Sequence, residues 1–373
     1  MKNHTTGRKT PSIILTLVFI VAFIMTGCAT VPAVTDTAAV PAEAAQSTPP
    51  TQAPASAPLA TETDNSENKI QSSETPAAIV KFEGKYIDVH THISPSGMSL
   101  EQIIKNMDTE GIDKMVIMKV PANINDTQAQ YGIPEAAEQY PDRFIALYGG
   151  EAITMLESAA TSGNYTKADE KKFTSLLEQE MGSGKYRGIG EIGLRHFIPK
   201  KESNATDLTI SGDHPWMFIM SDIAAKYNVP IDVHMEATAE TIKGLESLLA
   251  HNKNTTIIWD HAGWANTDMP TPQLIGQLMK KYPNLYSSIK MRNDKSTPSS
   301  VRIFNSDKQI TPEWMSLFKE YPDRFMIGSD IKAGVRADEF TYVKDHLKVL
   351  SQLPSEILKK IERENAEKIF QIK

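Results

Sequence analysis

Lys85-Tyr-Ile-Asp-Val-His-Thr-His92 is an apolar, alternating run that closes on two imidazoles two residues apart. Successive side chains of a strand point to opposite faces, so His90 and His92 share one face and can reach a single ion together. Residues two apart on a helix do not face each other. Three later stretches end in the same way, an apolar run closing on one ionisable residue: Val229 to His234, Thr256 to His261 and Phe325 to Asp330. The recurrence predicts strands whose ends bind metal.

From Lys81 onward, short apolar runs alternate with helical patterns, which predicts parallel strands joined by crossover helices. Strands are expected at Tyr86 to His92, Lys114 to Lys119, Phe144 to Gly149, Tyr186 to Glu191, Val229 to His234, Thr256 to His261, Leu285 to Ile289 and Phe325 to Ser329. Helices are expected at Leu100 to Glu110, Pro134 to Tyr140, Ala168 to Met181, Pro215 to Tyr227, Ala239 to His251, Pro272 to Tyr282 and Pro312 to Tyr321, with Ala337 to Leu350 and Ser355 to Phe370 closing the chain. Eight strand–helix pairs fit an α/β fold of the (β/α)8 TIM-barrel type, whose sites lie at the C-terminal ends of the strands. An open doubly wound sheet uses the same alternation. Ionisable residues on five strand ends favour the barrel, because closure brings the first and last strands together.

The N-terminal part reads differently. Lys2, Arg8 and Lys9 precede the apolar run Ile13 to Met25 and then Thr26-Gly-Cys28, a secretory signal layout too short to span a bilayer. Its ending resembles a bacterial lipoprotein signal, which implies removal of residues 1–27, lipidation of Cys28 and a membrane-anchored protein of the bacterial cell envelope, on its periplasmic or extracytoplasmic face. Residues 28–80 are rich in Ala, Pro, Thr and Ser with almost no large apolar side chain, a composition that predicts a disordered tether. Residues 81–373 are then the folded domain. Cys28 is the only cysteine, so no intrachain disulfide forms. Net charge is −7 with scattered lysines and arginines, which argues against nucleic acid as a partner and leaves a small-molecule substrate.

His90, His92 and His234 supply nitrogen donors and Asp330 an oxygen, a set that describes a catalytic zinc-type site with an open position. Asp330 could also take the proton from a metal-activated water. His261 could bind a second metal or polarise a substrate carbonyl. Gly188-Ile-Gly-Glu-Ile-Gly193 matches a dinucleotide-binding pattern formally, but no helix opens after it, so Glu191 is its informative residue, as a metal ligand or as the partner of a lysine or Arg195. Lys290 and Arg292 follow the seventh strand and could hold an anionic group of the substrate. His196, Asp213, His214 and Trp264 fall in loops on the same face without an assignable role, and His251 and His346 are expected to face solvent.

These pieces resemble the amidohydrolase superfamily, in its amidohydrolase-related branch of metal-dependent TIM-barrel hydrolases and decarboxylases. The match runs from Tyr86 to Ile372 through Ile87-Asp-Val-His-Thr-His92, Tyr140-Pro-Asp-Arg-Phe144, His234, Asp260-His-Ala-Gly263, Gly328-Ser-Asp330 and Glu364-Asn-Ala-Glu-Lys-Ile-Phe370. The resemblance implies His90, His92, His234 and Asp330 as metal ligands and His261 as a ligand or catalytic residue. Gly190-Glu-Ile-Gly-Leu194 is similar to the fourth-strand motif of TatD-type hydrolases, which implies Glu191 as a ligand, although Arg195 stands where that group has aspartate. The expected function is hydrolysis of a small ester, lactone, amide or phosphoester by a metal-activated water, with one or two divalent ions, zinc or manganese. A metal-dependent decarboxylase and a non-catalytic tethered binding lipoprotein are the alternatives.

Overall fold

A computed structural model describes residues 85–93, 98–121, 132–196, 208–291, 297–333 and 339–372. The expected signal, Cys28, the tether and Arg292 lie outside the described residues. The strands are β1 (Tyr86–His92), β2 (Ile112–Met118), β3 (Phe144–Ala146), β4 (Ile189–His196), β5 (Leu208–Thr209), β6 (Ile231–Met235), β7 (Ile257–Ala262), β8 (Leu285–Ile289), β9 (Phe325–Ile327) and β10 (Ile331–Lys332). They form a four-stranded sheet in the order β10-β1-β2-β3 and a six-stranded sheet in the order β5-β4-β6-β7-β8-β9, parallel except for β5.

Hydrogen bonds join the two sheets at both junctions. On one side Tyr148 bridges Ile189 in parallel, with Tyr148 N donating to Gly188 O at 2.9 Å and Gly190 N to Tyr148 O at 3.0 Å. On the other, the segment between β9 and β10 lies along β1, with Asp330 N donating to His90 O at 2.9 Å and Ser329 N to Asp88 Oδ1 at 3.0 Å. The arrangement is a mixed α/β fold on parallel strands. Among the described residues, no helix is long and apolar enough to cross a membrane.

Local sequence explains where the helices begin. Ser99 caps Leu100–Glu110 in a capping box with Gln102, and Gly111 ends that helix in the left-handed conformation at φ 78°. Pro215, Pro272 and Pro312 each occupy a first-turn position, where the missing N–H costs nothing. The helix Glu151–Ser162 was not foreseen; it starts after Gly150 with no side-chain cap bond, so the usual start signal is missing. The stretch Ser355 to Phe370 is not one α-helix, because a π-helical turn, Lys360–Glu364, interrupts it. Beyond the turn, buried Asn365 donates through Nδ2 to Pro322 O at 2.9 Å and Phe325 O at 2.8 Å, tying the closing helix to β9. His346 is buried rather than solvent-facing.

Two departures bear on the site. The fourth strand runs past Glu191 to His196, where Arg195 and His196 pair with Thr209 and Leu208 of antiparallel β5. The inserted strand gives that polar extension a ladder that composition did not suggest. Away from these strand ends, Glu157 on the helix Glu151–Ser162 is buried, and burial pushes its carboxyl up to about 7 against the opposing pull of buried Lys119. Because its folded pKa lies above the ordinary 4.5, stability is fullest below that value and falls as pH rises through about 7. The loss amounts to roughly 3 kcal/mol from this group. Urea midpoints of the wild type should therefore drop between pH 5 and pH 8, with a smaller drop in Glu157→Gln; equal drops would remove Glu157 as the cause.

Candidate metal centre

Strand alternation builds the site. On β1, His90 and His92 share a face; on β6, Asp232 and His234 do so, with Glu236 continuing the alternation just beyond the strand. His261 at φ 68° and Asp330 at φ 55° adopt left-handed backbone, which breaks the alternation on β7 and after β9 and turns both side chains to the same place. Non-glycine residues held in that region cost about 1–3 kcal/mol and cluster at functional sites.

Glu191 lies at the centre. Its Oε2 is 3.5 Å from His90 Nε2 and 3.5 Å from His92 Nε2, while its Oε1 is 3.0 Å from His234 Nδ1 and 3.7 Å from His261 Nε2. Asp330 Oδ1 approaches His92 Nε2 at 3.2 Å, and His261 Nε2 approaches His234 Nδ1 at 3.0 Å. The structure thus brings together His90, His92, Glu191, His234, His261 and Asp330. Glu191 faces histidines rather than a lysine, and Arg195 Nη1 donates instead to Thr209 Oγ1.

Neighbours fix how the imidazoles are presented. His92 Nδ1 donates to Met118 O at 3.0 Å, leaving the Nε2 lone pair to face Glu191 and Asp330. His90 Nδ1 is 3.2 Å from Asp260 Oδ1 and 3.4 Å from Asp232 Oδ1, so Nε2 is the atom it offers to the centre. Sequence reading assigns neither carboxylate behind His90 a role, although Asp260 falls in Asp260-His-Ala-Gly263 and Asp232-Val-His234 shows the same i, i+2 pattern as His90-Thr-His92. Lys290 is buried, bonds Asp330 Oδ2 and lies 3.8 Å from the centroid of the Trp264 ring. Ser211, His214 and Trp216 sit at the start of the helix Pro215–Tyr227, where the His214 ring accepts from Trp216 N at 3.2 Å.

Burial disfavours charge here, but the groups compensate one another. Burial alone would depress His90, yet Asp260, Glu191 and Asp232 hold it well above the usual histidine range. Burial would raise Glu191, yet His90, His234 and His261 hold it well below the carboxylate range. Asp330 is likewise held low against burial by Lys290 and His92. His261 goes the other way, lowered to about 3 by burial and by Lys290, so it presents a neutral lone pair. Asp232 is raised by burial and by the Asp260 charge beside it.

The donors fit a divalent cation. His90 Nε2, which faces Glu191, is buried and makes no hydrogen bond. The nitrogen–oxygen separations of 3.0–3.7 Å match the spacing of ligands held about 2.0–2.2 Å from one tetrahedral ion. A field that favours a proton on His90 favours a cation at the same place.

The site leaves no room for an added carbon at Gly328, just past β9. A Cβ at Gly328 would lie 2.6 Å from Ser288 Cβ and 3.0 Å from His90 Cβ, both stiff atoms close to the backbone. Gly328→Ala should therefore displace His90 and destabilise the fold by about 1–3 kcal/mol. A urea midpoint and metal content equal to the wild type would show that the strands absorb the methyl group.

The family model described as amidohydrolase matches residues 87–372. The chain belongs to the amidohydrolase family. It is therefore a hydrolase, and the family's usual divalent metal agrees with the donor groups above. No curated protein matches the chain. Solved structures similar to this amidohydrolase include amidohydrolase 2 from Bifidobacterium longum subsp. infantis, 13% identical, covering 77% of this chain and 99% of that one at a TM-score of 0.44. A dihydropyrimidinase from Brevibacillus agri is 12% identical, covering 78% of this chain and 71% of that one at a TM-score of 0.44. Both likenesses are distant.

Proposed function

We propose that the chain hydrolyses a small ester, lactone, amide or phosphoester with two divalent cations, zinc or manganese, which His90, His92, His234 and His261 would hold with Glu191 shared between the two pairs of imidazoles. The observation that carries this reading is the division of the Glu191 carboxylate, one oxygen toward His90 and His92 and the other toward His234 and His261. The junction hydrogen bonds support closure of the strands into a (β/α)8 barrel, which places all six residues at one mouth. Divalent cations held there would supply a water of lowered pKa and a Lewis acid for the substrate. Asp330, kept ionised by Lys290, accepts the proton of the attacking water and returns it to the leaving group. His92 and His90 are held by Met118 O and Asp260, so their Nε2 atoms need no reorientation.

Elemental analysis of the full chain purified without chelators tests the proposal, with at least two equivalents expected and acid release from a panel of esters, lactones, amides and phosphoesters. One equivalent, or carbon dioxide as the product, would reject it. Lipidation of Cys28 at the head of the 28–80 tether holds the enzyme at the cell envelope. Cys28→Ser is expected in the soluble fraction; its retention in membranes would discard the lipid anchor.

A further inference from the structure

His234 uses its second ring nitrogen as well as its first. Nδ1 faces Glu191, but Nε2 lies 3.1 Å from Glu236 Oε1 and 3.1 Å from His196 Nδ1, and those two atoms are 3.9 Å apart. We propose that His196, His234 and Glu236 form a further divalent-cation site beside the Glu191 centre. Each donor comes from a strand end already described: His196 closes β4 beyond the expected end of the strand, and His234 and Glu236 are alternate positions of β6 and its continuation.

The three ligand atoms lie within 3.1–3.9 Å of one another, separations that bracket the ligand spacing of a zinc-sized ion, and the His196 and His234 rings cross at 88° with their centroids 4.5 Å apart. Asn266 Nδ2 donates to Glu236 Oε1 at 3.4 Å and steadies that carboxylate. His234 and Glu236 are buried, while the His196 side chain is 28% exposed, which gives an ion access from solvent and leaves coordination positions open. The ligand is thus a divalent metal of the zinc type; with cations at both sites, His234 would release its remaining ring proton to solvent and serve them as an imidazolate.

The proposal shares His234 with the two-cation reading but not the bridging role of Glu191. Zinc binding to the full chain by equilibrium dialysis and elemental analysis tests it, comparing wild type, His196→Ala, Glu236→Gln and His92→Ala, with cobalt(II) absorption as a second readout. The wild type should bind one equivalent more than His196→Ala and Glu236→Gln, and should show a cobalt band that both lack. His92→Ala should keep that band. Should Glu236→Gln fail to fold by circular dichroism, His196→Ala, at the more exposed position, decides alone. Equal stoichiometry and spectra in wild type and His196→Ala would overturn the site while leaving the Glu191 centre standing. A single equivalent that depends on His196 and not on His92 would uphold the site and remove the Glu191 centre.

Discussion

Glu191→Ala should lose at least one equivalent of metal and lower turnover by about 10³-fold. Glu191 stands between two pairs of imidazoles, so removing it takes a donor from both at once. Metal-ion stabilisation of a transition state is worth several kcal/mol, and each 1.36 kcal/mol is about tenfold in rate. The anion also balances the charge that its neighbours favour on buried His90. Glu191→Gln separates the two effects, because it keeps the shape and one oxygen while losing the charge. It should retain part of the metal that Glu191→Ala loses, and its turnover should fall between the two. Metal content by elemental analysis and turnover on the same preparation check both. Metal content unchanged in Glu191→Ala would make Glu191 a structural partner of His234, and the two-cation reading would fall with it.

Much of this arrangement was legible in the sequence because strand geometry is periodic. The run Lys85 to His92 gave the bounds of β1 and the shared face of His90 and His92, and the helices Leu100–Glu110, Pro215–Tyr227 and Ala239–His251 have the expected limits. Other features depend on contacts between distant segments. Asp260 matters because its carboxylate reaches His90 across the strands, and no pattern within β7 marks that contact. His346 carries no sequence mark of burial either, since its environment comes from packing. Two signals were present and unread. Asp232-Val-His-Met-Glu236 places three ionisable groups on alternate positions. The pentapeptide Tyr-Pro-Asp-Arg-Phe occurs at 140–144 and again at 321–325, each time where a helix ends and a strand begins. In the first copy Arg143 donates to Asp113 O at 2.8 Å and to Ile112 O at 3.1 Å, and in both copies the arginine N–H bonds back to the tyrosine carbonyl. The repeat is a turn that delivers the chain into the sheet.

Asp330→Asn should abolish most turnover, by about 10²–10⁴-fold, the range expected for loss of a positioned acid–base group. The choice of asparagine matters. Asp330 sits at φ 55°, and Asn enters left-handed backbone more readily than other non-glycine residues, so the segment between β9 and β10 can keep its bonds to β1. The amide still offers an oxygen toward His92 but cannot accept a proton from water at neutral pH. Lys290 then loses the anion it bonds through Asp330 Oδ2, and weakening the ion pair of a buried ammonium is costly, so a lowered melting temperature should accompany the lost activity. The double variant Asp330→Asn with Lys290→Met tests that explanation: it should recover stability without recovering turnover. Turnover within a few fold of wild type in Asp330→Asn would exclude Asp330 as the base. Recovered turnover in the double variant would instead assign the loss to the stranded charge on Lys290.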